Sequence, residues 1–440
     1  MRGGFVKNSR KTSLSNSLLA AALALVLCCA SAAWSQSFQT IYNFTGGTDG
    51  GFPIAGVVLD AQGNLYGDTL NGGGDCGLQE ACGVVFQLTH NNNGTWSENV
   101  LHNFEGNGAD GGNPTAPVAF DRHGNLYGAS NCVQDCFFNT QGVLFQLLPQ
   151  SNGPWRESIL YNLQGDGCAP NSEYGTGGLV VCSVAFDHTG RLFAQTVTGG
   201  TTGPDCVSFG CGQVLFLGQV SVFSWYRIVL HDFMDGSSDG RFPEGLLAFD
   251  TSNNVYGTTG AGGSANAGTV YMLTPNHVTP GYRETLLHSF QGGSSDGANP
   301  TAGVVLDASG NVYGTTSEGG AAGLGMVYIL TPQSNGTWSE TVLYSLQGGN
   351  DAAMPNSSLT FDAAGNLYGT AGGGADNQGT IFKLTSSGSH WTESVFHTFT
   401  GALDGGNPYG GVTIDAAGNI YGTASRGGTG NEGIVFEITP

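Results

Sequence analysis

The sequence predicts an all-β protein, a seven-bladed β-propeller built from four-stranded antiparallel blades. Three observations predict it. A ten-residue phrase, DASGNVYGTT at Asp307, recurs at Asp60, Asp121, Asp250, Asp362 and Asp415, with a divergent copy, DHTGRLFAQT, at Asp187. The residue after each turn falls at Asn64, Asn125, Arg191, Asn254, Asn311, Asn366 and Asn419, so the spacing runs from 53 to 66 residues. Repeats of that period mark solenoids and propellers. Finally, the two ends of the chain hold fractions of one unit: Ser37–Phe44 reads like the fourth segment of other units, and the last unit stops after its third. A ring closed by the N-terminal strand accounts for the split.

Taken in order, the elements support this reading. Arg2, Lys7, Arg10 and Lys11 precede an apolar run from Leu18 to Ala33 with small-residue cleavage options beyond it. That is the pattern of a secretory signal peptide, and the run falls short of the roughly 20 residues that span a bilayer. Residues 1–35 are read as a leader and residues 36–440 as a single propeller, exported to the periplasm or beyond, and monomeric. Without the leader, eight Lys and Arg face 33 Asp and Glu, a net of −25. Such a surface repels nucleic acid and anionic membranes. Eight of the ten cysteines remain, in local pairs expected to be disulfides: Cys76–Cys82, Cys132–Cys136, Cys168–Cys182 and Cys206–Cys211.

Each unit has four short apolar segments, clearest in the fifth: TAGVVLD, NVYGTT, GMVYILTP and SETVLYSL. The recurring phrase is the hairpin between the first two. Its Asp caps the turn amides and its Gly supplies a left-handed residue. Six units keep a Pro seven residues before that Asp, from Pro53 to Pro408, followed by small residues that suit an inner strand crowded around a channel. An aromatic opens the fourth segment (Trp96, Trp155, Trp225, Tyr282, Trp338, Trp391) and is expected to pack between blades or cover their outer edge, a sugar platform being the alternative. His102, His231, His288 and His397 share one fourth-strand position with Tyr42, Tyr161 and Tyr344, which reads as half-buried packing.

The stretch from D-x-x-G-N-[LVI]-Y-G-T-T through G-G-x-x-G-x-G-x-V-[FY]-x-L-T-P resembles the tandem repeat named Gloeo/Verruco (GloVer) of exported bacterial proteins, over nearly all of residues 36–440. The resemblance implies a secreted, propeller-forming repeat protein and brings no activity. The third unit departs most, with Arg191 for Asn and Phe193-Ala194 for Tyr-Gly.

Function is expected on the face that carries the loops between blades, where a second motif, D-G-x-x-P, recurs at Asp49, Asp110, Asp166, Asp239, Asp296, Asp351 and Asp404. These carboxylates, with Arg241 and Arg426 in neighbouring loops, are the candidate ligand-binding residues. Sevenfold recurrence favours a turn-forming job. Symmetry breaks, such as the insert NSEYGTGG at 171–178, are the better pointers to a site. No metal centre or cofactor is expected; a calcium ion on two or three of the carboxylates is the one exception the pattern leaves open, although no D-x-[DN]-x-[DN]-G loop is present. No nucleophile elbow, H-E-x-x-H or phosphate loop occurs. The first reading is a non-catalytic binding module for an extracellular glycan or surface protein. The alternatives are a polysaccharide hydrolase or lyase using the mouth carboxylates, and a structural envelope or matrix component.

Overall fold

Every copy of the recurring phrase folds alike, and the aspartate is the reason. The computed structural model describes residues 36–74, 82–106, 110–131, 142–151, 154–163, 183–206, 210–221, 224–276, 281–388 and 390–440. In the fifth copy Asp307 Oδ1 accepts from the backbone N–H groups of Ser309 (2.8 Å) and Asn311 (2.9 Å). Its Oδ2 accepts from Asn311 Nδ2 (2.7 Å) and from the Tyr313 hydroxyl (3.1 Å). Gly310 sits at φ 81°, where a Cβ would be strained. Burial works against the charged carboxylate, but these hydrogen bonds outweigh it and hold Asp307 below the usual carboxylate range. The divergent third copy keeps the logic with other atoms: Arg191 Nε takes the place of the Asn amide, 2.7 Å from Asp187 Oδ2.

Seven four-stranded antiparallel sheets follow from seven such hairpins, forming a seven-bladed propeller. Blade five pairs Val305–Leu306, Val312–Thr316, Met326–Pro332 and Trp338–Ser345 in that order, from the centre outward. Blade seven is composite: Thr413–Ile414, Ile420–Ala424 and Ile434–Thr439 are joined by Ser37–Asn43 as the outer strand. Its register runs from Ser37 opposite Thr439 to Asn43 opposite Ile434, so the closure expected from the split unit is the one found. In all seven outer strands a bulge immediately precedes the shared His or Tyr position. The bulge re-aims that side chain relative to the strand's alternation.

The core lies between blades rather than within them. Each of seven buried clusters draws on two neighbours; one joins Tyr256, Val270 and Phe290 of blade four to Val312, Met326 and Tyr328 of blade five. Of the two places expected for the outer-strand aromatics, they take the seams: Trp155 lies 6.2 Å from Tyr66, Trp225 6.2 Å from Tyr127, and Trp391 6.3 Å from Tyr313, each ring of the preceding blade. The glycine of the Tyr-Gly pair is a packing requirement. A Cβ on Gly369 would stand 2.6 Å from Phe382 Cζ, and one on Gly422 2.5 Å from Phe436 Cζ. Blade three carries Ala194 instead, and there the residue directly across is Leu215, not an aromatic. The two departures compensate each other.

Candidate functional site

The D-G-x-x-P loop joins the outer strand of one blade to the inner strand of the next. The residue before its proline adopts a left-handed conformation in six blades, at Phe52, Asn113, Phe242, Asn299, Met354 and Asn407, with φ from 48° to 57°. A residue preceding proline disfavours the helical basins, so something must hold it there. Its N–H donates to a carbonyl of the preceding blade, for example Asn299 to Ala267 (2.8 Å) and Asn407 to Gln378 (2.7 Å). The proline then sits against a glycine of that same blade: a Cβ on Gly268 would be 2.5 Å from Pro300 Cδ, and one on Gly379 2.2 Å from Pro408 Cδ. The motif is a latch between consecutive blades.

Its aspartate completes the latch. Asp296 Oδ2 accepts from the Gln291 N–H (2.8 Å) and Oδ1 from the Gly297 N–H. Asp239, Asp351 and Asp404 repeat the arrangement with Met234, Gln347 and Thr400, Asp49 uses the Thr45 N–H, and Asp110 the Glu105 N–H. Asp166 lies outside the described residues, as do the 171–178 insert and Cys76, Cys132, Cys136, Cys168 and Cys182. The same aspartates face the shared His/Tyr position: His102 Nε2 is 3.0 Å from Asp110 Oδ1, and the Tyr344 hydroxyl donates to Asp351 Oδ2 at 3.0 Å.

A third member was not anticipated from sequence. Four residues before the His or Tyr of the following blade stands a glutamate, Glu98, Glu157, Glu284, Glu340 or Glu393, that meets the pair across the seam; Glu157 Oε1 lies 3.6 Å from His102 Nε2. The fixed offset was visible in the repeats, but only the juxtaposition of neighbouring outer strands gives it meaning.

None of the six described aspartates lines the central channel. That cavity, of about 590 Å³, is walled by the inner strands of six blades, and among the described residues no charged side chain lines it. Thr115, Asn356, Ser357, Thr360, Thr413 and Tyr409 supply its hydroxyl and amide groups. The strongest break in symmetry is the residue after the latch proline, which is Ile54, Thr115, Glu244, Thr301, Asn356 and Tyr409 in turn. Tyr409 is exposed there at 42%. Burial pushes the Glu244 carboxyl up to about 8, and its Oε1 lies toward Gly260 at the seam with Asn299.

Arg241 is buried and bridges two carboxylates, with Nη1 2.8 Å from both Asp205 Oδ2 and Asp235 Oδ1. It ties the neighbouring blade's loop down beside the Cys206–Cys211 disulfide. Arg426 is exposed, its guanidinium 5.7 Å above the Phe52 ring. Cys82 is buried and disulfide-bonded.

One buried acid is out of place. The residue after the Tyr-Gly pair is threonine in blades four to seven, and its hydroxyl donates to an inner-strand carbonyl of the next blade, as Thr423 does to Ala55 (2.7 Å) and Thr370 to Gly410 (3.1 Å). Blade one has Asp68 there. It is 1% exposed, neither carboxylate oxygen has a hydrogen-bond partner among the described residues, and burial pushes its pKa well above the usual value. Asp68→Thr is expected to raise stability by about 1–3 kcal/mol. An acid with a raised folded-state pKa loses stability as pH rises above its unfolded value, so the gain should be larger at alkaline than at acid pH. Thermal melts at both ends of the range check this; a destabilised variant at alkaline pH contradicts it.

Residues 277–440, which include blades five and six and three strands of blade seven, match the family model described as the Gloeobacter/Verrucomicrobia repeat. No curated protein matches the chain. Among solved structures, similar ones include a protein of Thermus thermophilus described as a putative oxidoreductase (glucose dehydrogenase). It shares 12% identity at a TM-score of 0.41, over 92% of this chain and 100% of that one. A luciferin-regenerating enzyme shares 11% identity at a TM-score of 0.40, over 92% of this chain and 96% of that one.

Proposed function

We propose that this propeller is an exported binding module that seats a neutral carbohydrate at the latch-loop mouth of its central channel. The observation that carries this is the chemistry of the channel. In a chain of net charge −21, the described residues of the channel wall offer hydroxyls, amides and small apolar side chains and no charge. Ligand pockets typically enclose roughly 300–1,000 Å³ with a few polar groups fixing orientation, and the cavity falls in that range. The varied residues after the latch prolines, with Tyr409 as an aromatic platform and Asn356 as donor and acceptor, add specificity on an otherwise repetitive rim. The leader and the local disulfides agree with an exported site of action.

A glycan array followed by calorimetry on the best neutral ligand tests the reading. Tyr409→Ala and Asn356→Ala are each expected to weaken binding by about tenfold or more, the equivalent of roughly 1.4 kcal/mol. Absence of binding to any neutral glycan, or binding indifferent to both substitutions, would refute it. A reducing-sugar assay on the same ligands is run in parallel. Release of reducing ends from a ligand that binds would establish the hydrolase instead.

A further inference from the structure

We propose that five of the seven blade seams are closed by a carboxylic acid–carboxylate pair sharing one proton, which makes the ring a clasp that tightens in acid and loosens as pH rises through neutrality. The pairs are Asp49 with Glu98, Asp110 with Glu157, Asp239 with Glu284, Asp296 with Glu340, and Asp351 with Glu393. In each, the aspartate comes from a latch loop and the glutamate from the next outer strand.

The geometry favours a proton between the acids. In three seams the His Nε2 and one oxygen of each acid lie within 4.8 Å of one another: His102, Asp110 and Glu157; His231, Asp239 and Glu284; His288, Asp296 and Glu340. Two carboxylates that close and shielded from water do not both ionise cheaply. The aspartate is the one held charged, because latch amides donate to it (Met234 to Asp239, Gln291 to Asp296). The glutamate has no such support. One oxygen in each of Glu98, Glu157, Glu284, Glu340 and Glu393 is buried without a hydrogen-bond partner among the described residues. A proton on that carboxyl turns it into a donor facing the aspartate.

The two remaining seams lack the glutamate. Where blade three meets blade two, Arg227 takes the glutamate's place, its guanidinium 5.1 Å above the Tyr161 ring: a fixed cation stands where the others need a proton. Where the N-terminal strand closes the ring, Phe38 takes that place and stacks on His397 at 4.0 Å. There the second acid is gone, and burial lowers the His397 pKa, whereas His231, facing Glu284 and Asp239, is raised against its own burial. His, Asp and Glu are also the side chains of transition-metal sites. Tyr42 and Tyr344 argue for the proton, because they fill the histidine's position opposite the same two acids by donating to the aspartate at 3.3 and 3.0 Å.

The sign of the effect follows from which form is held. Burial first, then the facing aspartate, pushes Glu157 up to about 9 and Glu393 to about 8. Glu98 rises to about 7 by the same causes. Burial likewise leads for Glu284 and Glu340, each up to about 7, with the histidine opposing. The facing groups are Glu105, Asp110 and His102 for Glu157; Asp239 and His231, with Asp232 beside it, for Glu284; and Asp296 and His288 for Glu340. Glu98 faces Tyr42 and Asp49, and Glu393 faces Tyr344 and Asp351. A glutamate raised in the folded state gives its full stabilisation below its unfolded value of 4.5 and loses it as pH climbs through 7 to 9. Asp110 and Asp296, held low despite burial, set the opposite limit, losing theirs only in stronger acid.

The test is the melting temperature of the full chain between about pH 5 and pH 9 in metal-free buffer, beside the triple variant Glu157→Gln, Glu284→Gln, Glu340→Gln. Glutamine mimics the protonated acid at every pH. The parent should melt several degrees lower at the alkaline end. The variant should show a shallower decline and melt above the parent there. Parallel profiles would overturn the proposal, as would a zinc-induced rise in the parent's melting temperature that the variant lacks. If the variant does not fold, an infrared titration of the parent decides: protonated carboxyl absorption that persists at neutral pH and bleaches on alkalinisation is expected, and its absence at neutral pH sinks the clasp.

Discussion

Removal of residues 1–44 is expected to abolish the cooperative melt of the ring. The strand Ser37–Asn43 supplies the outer edge of blade seven, but its side chains serve two seams. Ile41 and Phe44 are buried among Val57, Leu65 and Phe86 of blade one. Phe38 stacks on His397 and packs against Phe436. Burying a large apolar side chain is worth about 1.5–3 kcal/mol, so losing Phe38, Ile41, Tyr42 and Phe44 together approaches the roughly 5–15 kcal/mol that stabilises a typical domain. A synthetic peptide of residues 36–44 should restore a cooperative transition in a concentration-dependent way. A circular permutant that joins Pro440 to Gln36 and opens the hairpin at Gly388 should fold unaided, because Thr439 already stands opposite Ser37. A truncated chain that melts like the parent would contradict the closure.

Gly369→Ala is the second large effect. The backbone there is not left-handed, so alanine costs nothing in conformation; the cost is the 2.6 Å approach of its Cβ to Phe382 Cζ and 3.1 Å to Leu359 Cδ2. Overpacking a filled core in this way costs about 1–3 kcal/mol. Phe382→Leu should recover much of it, because blade three already pairs alanine with leucine at Ala194 and Leu215. A double-mutant cycle by denaturant titration should therefore give a favourable coupling of about 1–2 kcal/mol. Additive losses would show that the third blade's pairing is coincidental.

What the repeats spelled out was local or periodic. The Asp-to-Gly hairpin was readable because its chemistry lies within a few residues, and the ring closure because part of a unit stands at each end. What was not readable depends on neighbours. The outer-strand glutamates alternate with Ser and Thr in the manner of a solvent-facing edge, and only the preceding blade's latch aspartate makes them partners. The shared His/Tyr position looked like packing; it also meets that aspartate at hydrogen-bond distance. Asp68 passed as a variant of threonine, since burial cannot be read from one letter. The motif suggested carboxylates around the mouth of the channel, and the six that are described serve the seams and are not among the channel's lining residues.

The latch has a bearing on how such a chain diversifies. In the six seams whose latch loop is described, a proline on one repeat's leading side meets a glycine on its neighbour's trailing side. Duplication or exchange of whole repeats thus preserves the joinery by default. The residue after the proline is where the copies differ most, from Ile54 to Tyr409.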